Sequence, residues 1–309
     1  MAPSVPSLPI KGLVDTAALM KIGSLELRAR MVMEGFQRGL HRSPFHGFSV
    51  EFSEYRPYVP GDDVRFLDWR LYARSDRDYV KKFEDETNLR CHLVVDQSGS
   101  MGYGSLGWRK ADYAATLAAT LAHFLDAQGD AVGLVTFTDR VTEHLAPRHR
   151  PGHLRQVLIG LERAPQGMTG ELAKPLAAVA GLVARRGLLV LISDLLAPAE
   201  DLERQLGALA ASGPEVVIFQ VLDPAERSFS FEEGPAVFRD LESGRQLFID
   251  PEAARAGYQR ALAAHLELIA GACRRWGIHH QLLLTDQALD LALLGFLAGR
   301  RRGRDGRAA

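Results

Sequence analysis

From about Arg90 onward, short runs of Val, Ile and Leu alternate with stretches whose apolar residues recur three and four positions apart. The first pattern suits strands buried on both faces and the second suits amphipathic helices; together they predict a mostly parallel sheet covered by helices. Strands are expected at Cys91–Asp96, Ala131–Phe137, Leu188–Asp194, Glu215–Asp223 and His280–Asp286. Helices are expected at Arg109–Ala127, His153–Arg163, Leu172–Arg185, Ala199–Ala211, Glu252 to about Trp276, and Leu289–Leu297. The run from Phe229 to Asp250 breaks the alternation. There AVFRDLESGRQLFID reads as a hairpin turning at Glu242-Ser243-Gly244-Arg245, at the sheet edge or as a surface flap.

The first 90 residues have another texture. Thr16 to about Leu40 is helical in spacing, with Leu19, Ile22, Leu25, Leu27, Met31 and Phe36 as its apolar positions. After His41 the chain turns extended and aromatic, and GFSVEFSEYRPYV leads through the turn Pro60-Gly61-Asp62-Asp63 into FLDWRLYARSD. The expected division is residues 1–90, a helix and a β-rich extension, and residues 91–309, an α/β domain with a hairpin inserted near 229–250. No internal repeat or low-complexity segment interrupts either part.

Composition narrows the function classes. The chain has 309 residues, 47% hydrophobic and 24% charged, an ordinary globular balance. Lys plus Arg is 37 and Asp plus Glu is 38, a formal net charge of −1. A dedicated nucleic-acid binder needs a local excess of cations. Only the tail has one, in Arg300, Arg301, Arg302, Arg304 and Arg307, and a solvated terminus accounts for it. Cys91 and Cys273 form no CxxC pair, which argues against a disulfide framework or a cysteine-built zinc site. The N-terminal segment MAPSVPSLPIKGLVDTAALM lacks the continuous apolar block of a signal peptide, and no apolar run approaches the ~20 residues of a membrane span, so a soluble, cytoplasmic protein is expected.

The strongest local signal is Asp96-Gln97-Ser98-Gly99-Ser100, which directly ends the first β-run of the α/β part. In open α/β sheets, ligands bind in the crevice beyond the carboxyl ends of the strands. A carboxylate followed two and four residues on by hydroxyls can converge three hard oxygens there, with Gly99, Gly102 and Gly104 letting the loop wrap closely. Hard oxygens select Mg²⁺, Mn²⁺ or Ca²⁺ over zinc or copper. Aspartate and serine are also common caps and turn formers at such junctions, so the run alone is weak. Thr169, in the loop QGMTG before the helix near Leu172, and Asp194, ending the strand LLVLISD, add a hydroxyl and a carboxylate at the same sheet end.

Asp96, Ser98 and Ser100, then Thr169, then Asp194 resemble in order and context the metal-ion-dependent adhesion site of von Willebrand factor A domains. Upstream, FSEYRPYVPGDDVRFLDWRLYARSDRDYVKKFEDE resembles the signature of a bacterial family, domain of unknown function family 58, which joins such a region to a von Willebrand A-like domain. The resemblance implies a von Willebrand factor A-like (Rossmann-like) α/β fold. It further implies a divalent ion, Mg²⁺ or else Mn²⁺ or Ca²⁺, at Asp96, Ser98, Ser100, Thr169 and Asp194, with one position open for a partner's carboxylate. Many members are encoded beside MoxR-type AAA+ ATPases, which implies such an ATPase, or its client, as the partner. The threonine loop departs from the common Gly-Gly-Thr followed by Asp or Asn: here it is Gly167-Met168-Thr169-Gly170-Glu171, which bears on affinity and metal choice.

Other clusters have plainer explanations. Asp62, Asp63, Arg65, Asp68, Arg70, Arg74 and Asp76 form an ion-pair lattice more readily than an active site, with Trp69 and Tyr72 as packing anchors, because no nucleophile–base pair emerges. His41, His46, His144, His149, His153, His279 and His280 match no zinc-ligand spacing and are expected at the surface or as caps. A Mg²⁺-dependent phosphoester hydrolase of the haloacid-dehalogenase type would also end its first strand in an aspartate. It needs a second acid two residues on, where Ser98 stands here. The expectation is therefore a non-enzymatic, metal-dependent protein-interaction module, with that hydrolase as the alternative.

Overall fold

A computed structural model describes residues 14–42, 55–57, 79–81, 89–165, 172–183, 186–231, 234–241, 243–290 and 293. Two compact units emerge: Met1–Gly39 with Leu89–Ala309, and Leu40–Asn88. The N-terminal helices, grouped above with the first 90 residues, therefore go with the α/β part. Helix α1 (Thr16–Met20) starts at the Asp15 cap, and α2 (Leu25–Arg42) follows. The single helix expected from Thr16 is thus broken over residues 21–24, where the Ser24 hydroxyl accepts from the Leu27 N–H at 3.3 Å. Along α2, Leu25, Ala29, Val32, Met33 and Phe36 form the buried stripe. The Phe36 ring meets Phe124 edge-on at 6.1 Å. In the second unit, the short strands β1 (Tyr55–Pro57) and β2 (Tyr79–Lys81) pair antiparallel.

The α/β part runs β3 (Arg90–Asp96), a 3₁₀ turn (Gly99–Gly102), α3 (Lys110–Ala127), β4 (Ala131–Phe137), β5 (Val141–Arg148) and α4 (His153–Leu161). It continues through α5 (Ala173–Leu182), β6 (Leu188–Ser193), α6 (Ala199–Ala211), β7 (Glu215–Leu222) and α7 (Pro224–Ser228). The hairpin strands β8 (Ala236–Arg239) and β9 (Gln246–Ile249), α8 (Pro251–Trp276) and β10 (His279–Leu284) complete it. The central sheet has the order β10-β7-β6-β3-β4-β5, parallel throughout except for β5 against β4. This is the mostly parallel α/β architecture that the apolar runs predict. Side chains of β3, β4, β6 and β7 pointing one way join α5, α6 and α8 in one core cluster, while α3 packs against the same strands.

Strand β5 escapes a reading by apolar runs. In VTEHLAPR the half-buried positions are Val141, Glu143, Leu145 and Pro147, so a charge and a proline occupy its inward face. Proline is tolerated because the strand lies at the sheet edge. It approaches β4 closely at an irregularity in the pairing, where a Cβ on Gly133 would lie 2.6 Å from the Leu145 carbonyl oxygen. The hairpin forms where expected but as its own two-stranded sheet, apart from the central one, with Phe238 stacked on Phe229 at 5.7 Å.

Among the described residues no helix is long and apolar enough to cross a membrane. The arginine tail and most of the helix expected at Leu289–Leu297 lie outside the described residues.

Candidate metal centre

Strand β3 is flanked by β4 and β6, so its last residue, Asp96, emerges at the middle of the strand-end crevice and is fully buried. Both carboxylate oxygens are occupied by the protein: Oδ1 accepts from the Ser98 N–H at 2.9 Å and Oδ2 from the Ser193 hydroxyl at 2.5 Å. Burial and the neighbouring Asp194 carboxylate push the Asp96 carboxyl up to about 7, against the pull of those hydrogen bonds. Gln97 pins the next residue of the loop, its N–H donating to the Phe137 carbonyl and its side-chain amide to the Gly160 carbonyl at 3.3 Å. The chain then enters the 3₁₀ turn, which brings Ser98 Oγ and Ser100 Oγ to 3.1 Å from each other. Two adjacent ligands of an octahedral Mg²⁺, each at about 2.0–2.1 Å, stand about 2.9 Å apart. The serine pair, at 3.1 Å, is close to that spacing.

The loop's close wrapping rests on Gly104. A Cβ there would lie 1.9 Å from the Trp108 carbonyl oxygen, inside any allowed contact, whereas at Gly102 the nearest atom is 4.0 Å away. Met101 is fully buried beneath the loop, so it covers the turn from inside. Gly104→Ala should cost about 1–3 kcal/mol, as overpacking does. Urea unfolding of the variant at wild-type stability would show that the loop takes another path.

Asp194 follows β6 directly and lies beside Asp96 because Ile192 pairs with Val95 in parallel register. The next residue, Leu195, has φ 53, a left-handed conformation costly for a side chain with a Cβ, and it turns the chain sharply after the carboxylate. Asp194 Oδ1 accepts from the Leu196 N–H at 3.2 Å. Its Oδ2 accepts from the Lys110 ammonium at 2.8 Å, and the same Nζ donates to Glu226 Oε1 at 2.6 Å. Lys110 is wholly buried. Although burial opposes its charge, the two carboxylates hold the ammonium above the ordinary lysine range. Burial raises Glu226, and Lys110 partly offsets that.

Neither Lys110 nor Glu226 stands out in the sequence reading. The signal for Lys110 is a lone cation opening the apolar helix KADYAATLAATLAHFLDA. That for Glu226 is the capping box Asp223-Pro224-Ala225-Glu226, in which Glu226 Oε2 accepts from the Asp223 N–H at 2.9 Å.

Of the five predicted ligands, Asp96, Ser98, Ser100 and Asp194 come together at one sheet end, and Thr169 lies outside the described residues. So does the charged run from Asp62 to Asp76 with Trp69 and Tyr72. Among the described residues, no group of three or more His, Cys, Asp or Glu could hold a metal ion, so an ion here depends on hydroxyl oxygens. The serine pair and the carboxylate beneath it fit a hard divalent ion. Asp194 brings charge, with its Oδ2 already held by Lys110. His153 departs from the surface or cap role expected of it: it is buried, its Nε2 2.8 Å from the Val132 carbonyl oxygen.

The family described as "Protein of unknown function DUF58" matches residues 54–268. Uncharacterized proteins of Mycobacterium bovis and Mycobacterium tuberculosis are each 34% identical over 311 residues, covering 98% of this chain and 96% of the relative. Among solved structures, the conserved hypothetical protein BatB from Bacteroides thetaiotaomicron is similar at TM-score 0.46 and 14% identity, covering 69% of this chain and 99% of that one. The SpRpn10 VWA domain is similar at TM-score 0.39 and 13% identity, covering 65% of this chain and 92% of that one.

Proposed function

The chain belongs to the DUF58 family of proteins of unknown function, and from its strand-end geometry we propose that it is a non-enzymatic, metal-dependent protein-interaction module. The observation that carries this reading is the pair of serine hydroxyls 3.1 Å apart, set directly after the buried Asp96 carboxylate. Ser98 and Ser100 would hold a Mg²⁺, Mn²⁺ or Ca²⁺ ion, Thr169 would add a third hydroxyl, and Asp96 and Asp194 would supply charge. Such an ion offers an open coordination position to a carboxylate oxygen. An acidic side chain of a partner protein is therefore the proposed occupant. The family resemblance points to a MoxR-type AAA+ ATPase, or a client of one, as that partner.

The residues of the loop serve binding better than turnover. A phosphoester hydrolase of the haloacid-dehalogenase type needs an acidic proton donor two residues after the strand-end aspartate. Ser98 stands there, its N–H donating to Asp96 and its hydroxyl sharing a hydrogen bond with Ser100. Neither group is an acid at neutral pH. The test is capture of a purified MoxR-type ATPase by the full chain in Mg²⁺ and in EDTA, alongside a phosphoester assay with Mg²⁺ alone. Capture that disappears with EDTA and with Asp96→Ala is expected, with no turnover above the metal blank. Asp96-dependent hydrolysis would replace the binding reading with the hydrolase.

A further inference from the structure

We propose that Lys110 and Glu226 set the cation affinity of the strand-end site, Lys110 by occupying Asp194 and Glu226 by drawing the ammonium away from it. The proposal rests on the cation site at Ser98 and Ser100. It concerns two residues that belong to none of the strand-end loops carrying the predicted ligands.

The Lys110 ammonium is shared. It lies 2.8 Å from Asp194 Oδ2 and 2.6 Å from Glu226 Oε1, with no exposure to solvent. Its backbone is fixed at the start of α3, where the Lys110 N–H donates to the Tyr103 carbonyl at 2.8 Å. Glu226 is fixed too, since its second oxygen accepts from the Asp223 N–H. Asp223 is itself anchored, accepting from the Ser105 N–H at 2.9 Å and the Ala225 N–H at 2.8 Å. The ammonium is thus suspended between two anchored carboxylates, Asp194 at the end of β6 and Glu226 in α7. A buried ammonium so placed works as a tethered monovalent cation competing for the same charge as an incoming ion.

The charges make the competition specific. With Asp96, Asp194 and Glu226 ionised, three carboxylates and one ammonium leave two negative charges, enough to balance one divalent ion. Glu226 gives Lys110 an alternative partner when Asp194 turns its charge to that ion. Removing Lys110 leaves Asp194 unopposed. Removing the charge of Glu226 leaves Lys110 with Asp194 alone. Removing both restores two negative charges, with Asp194 free. Two residues that do not touch the ion should therefore shift its affinity in opposite directions, and because Glu226 acts through the ammonium, the double change should follow Lys110→Met.

Calorimetric titration of Mn²⁺ into the full chain at one fixed pH tests this, with circular dichroism confirming each fold. Lys110→Met should bind Mn²⁺ about tenfold more tightly and Glu226→Gln about tenfold more weakly, within the ~5–150-fold range usual for coupled sites. The double variant should bind more tightly than wild type, as Lys110→Met does, and it carries the comparison with Glu226→Gln should Lys110→Met fail to fold. Ser98→Ala tests the site itself. Mn²⁺ binding that Ser98→Ala weakens, but that Glu226→Gln and the double variant leave unmoved, overturns the proposal and leaves the cation site standing. Absence of Mn²⁺ binding in every protein overturns both.

Discussion

Lys110→Ala should destabilise the protein by about 3–5 kcal/mol, the cost of stranding a buried charge whose partner is removed. The ammonium has no solvent exposure and is shared by two carboxylates, one of them, Asp194, only 2% exposed at its side chain. An exposed pair would be worth only ~0–1 kcal/mol. The direction depends on which partners remain. Replacing Lys110 together with Asp194 and Glu226 by apolar or amide groups of similar size removes every unpaired charge and should cost much less than Lys110→Ala alone. Urea unfolding followed by circular dichroism separates the cases. A loss below ~1 kcal/mol in Lys110→Ala would mean that the ammonium is solvated and not held between Asp194 and Glu226.

The sheet was legible because its strands are written as near-continuous apolar runs. Ala131–Phe137 falls where the runs place it, and Leu188–Ser193 and Glu215–Leu222 each end one residue earlier. A strand covered on both faces needs no polar alternation, and that is a local property of the chain. Strand β5 was not legible, because its inward positions carry Glu143 and Pro147 and only the edge location makes them tolerable. The break between α1 and α2 was missed since apolar spacing runs straight through Ile22 while Gly23 and Ser24 interrupt the helix.

The site divides the same way. Asp96, Ser98 and Ser100 lie within five residues, and the strand that ends at Asp96 announces them. Asp194 is readable from its own strand. The pairings of Lys110 with Asp194 and Glu226 span 84 and 116 residues, so only the assembled crevice brings them together. An inward lysine at a helix start looks in sequence like any solvated one.

The second large effect is stabilisation by the ion itself. A ligand that binds only the folded chain stabilises it by RT ln(1 + [L]/Kd), about 4.1 kcal/mol at a thousandfold excess over Kd. Ser98, Ser100 and Asp194 are brought together by loops from different parts of the chain, so the unfolded protein has no equivalent site. Asp96→Ala removes the carboxylate at the base of the loop and the acceptor of the Ser98 N–H and Ser193 hydroxyl. It should therefore lower stability somewhat and abolish the response to the ion.

The most direct measurement is the thermal midpoint of the EDTA-stripped protein as Mg²⁺ or Mn²⁺ is added, for wild type, Asp96→Ala and the Ser98→Ala/Ser100→Ala double variant. A saturable rise in the wild type, fitting one ion per chain and absent from both variants, is the predicted result. An equal rise in all three, or none in the wild type, would contradict a cation site at Asp96, Ser98 and Ser100.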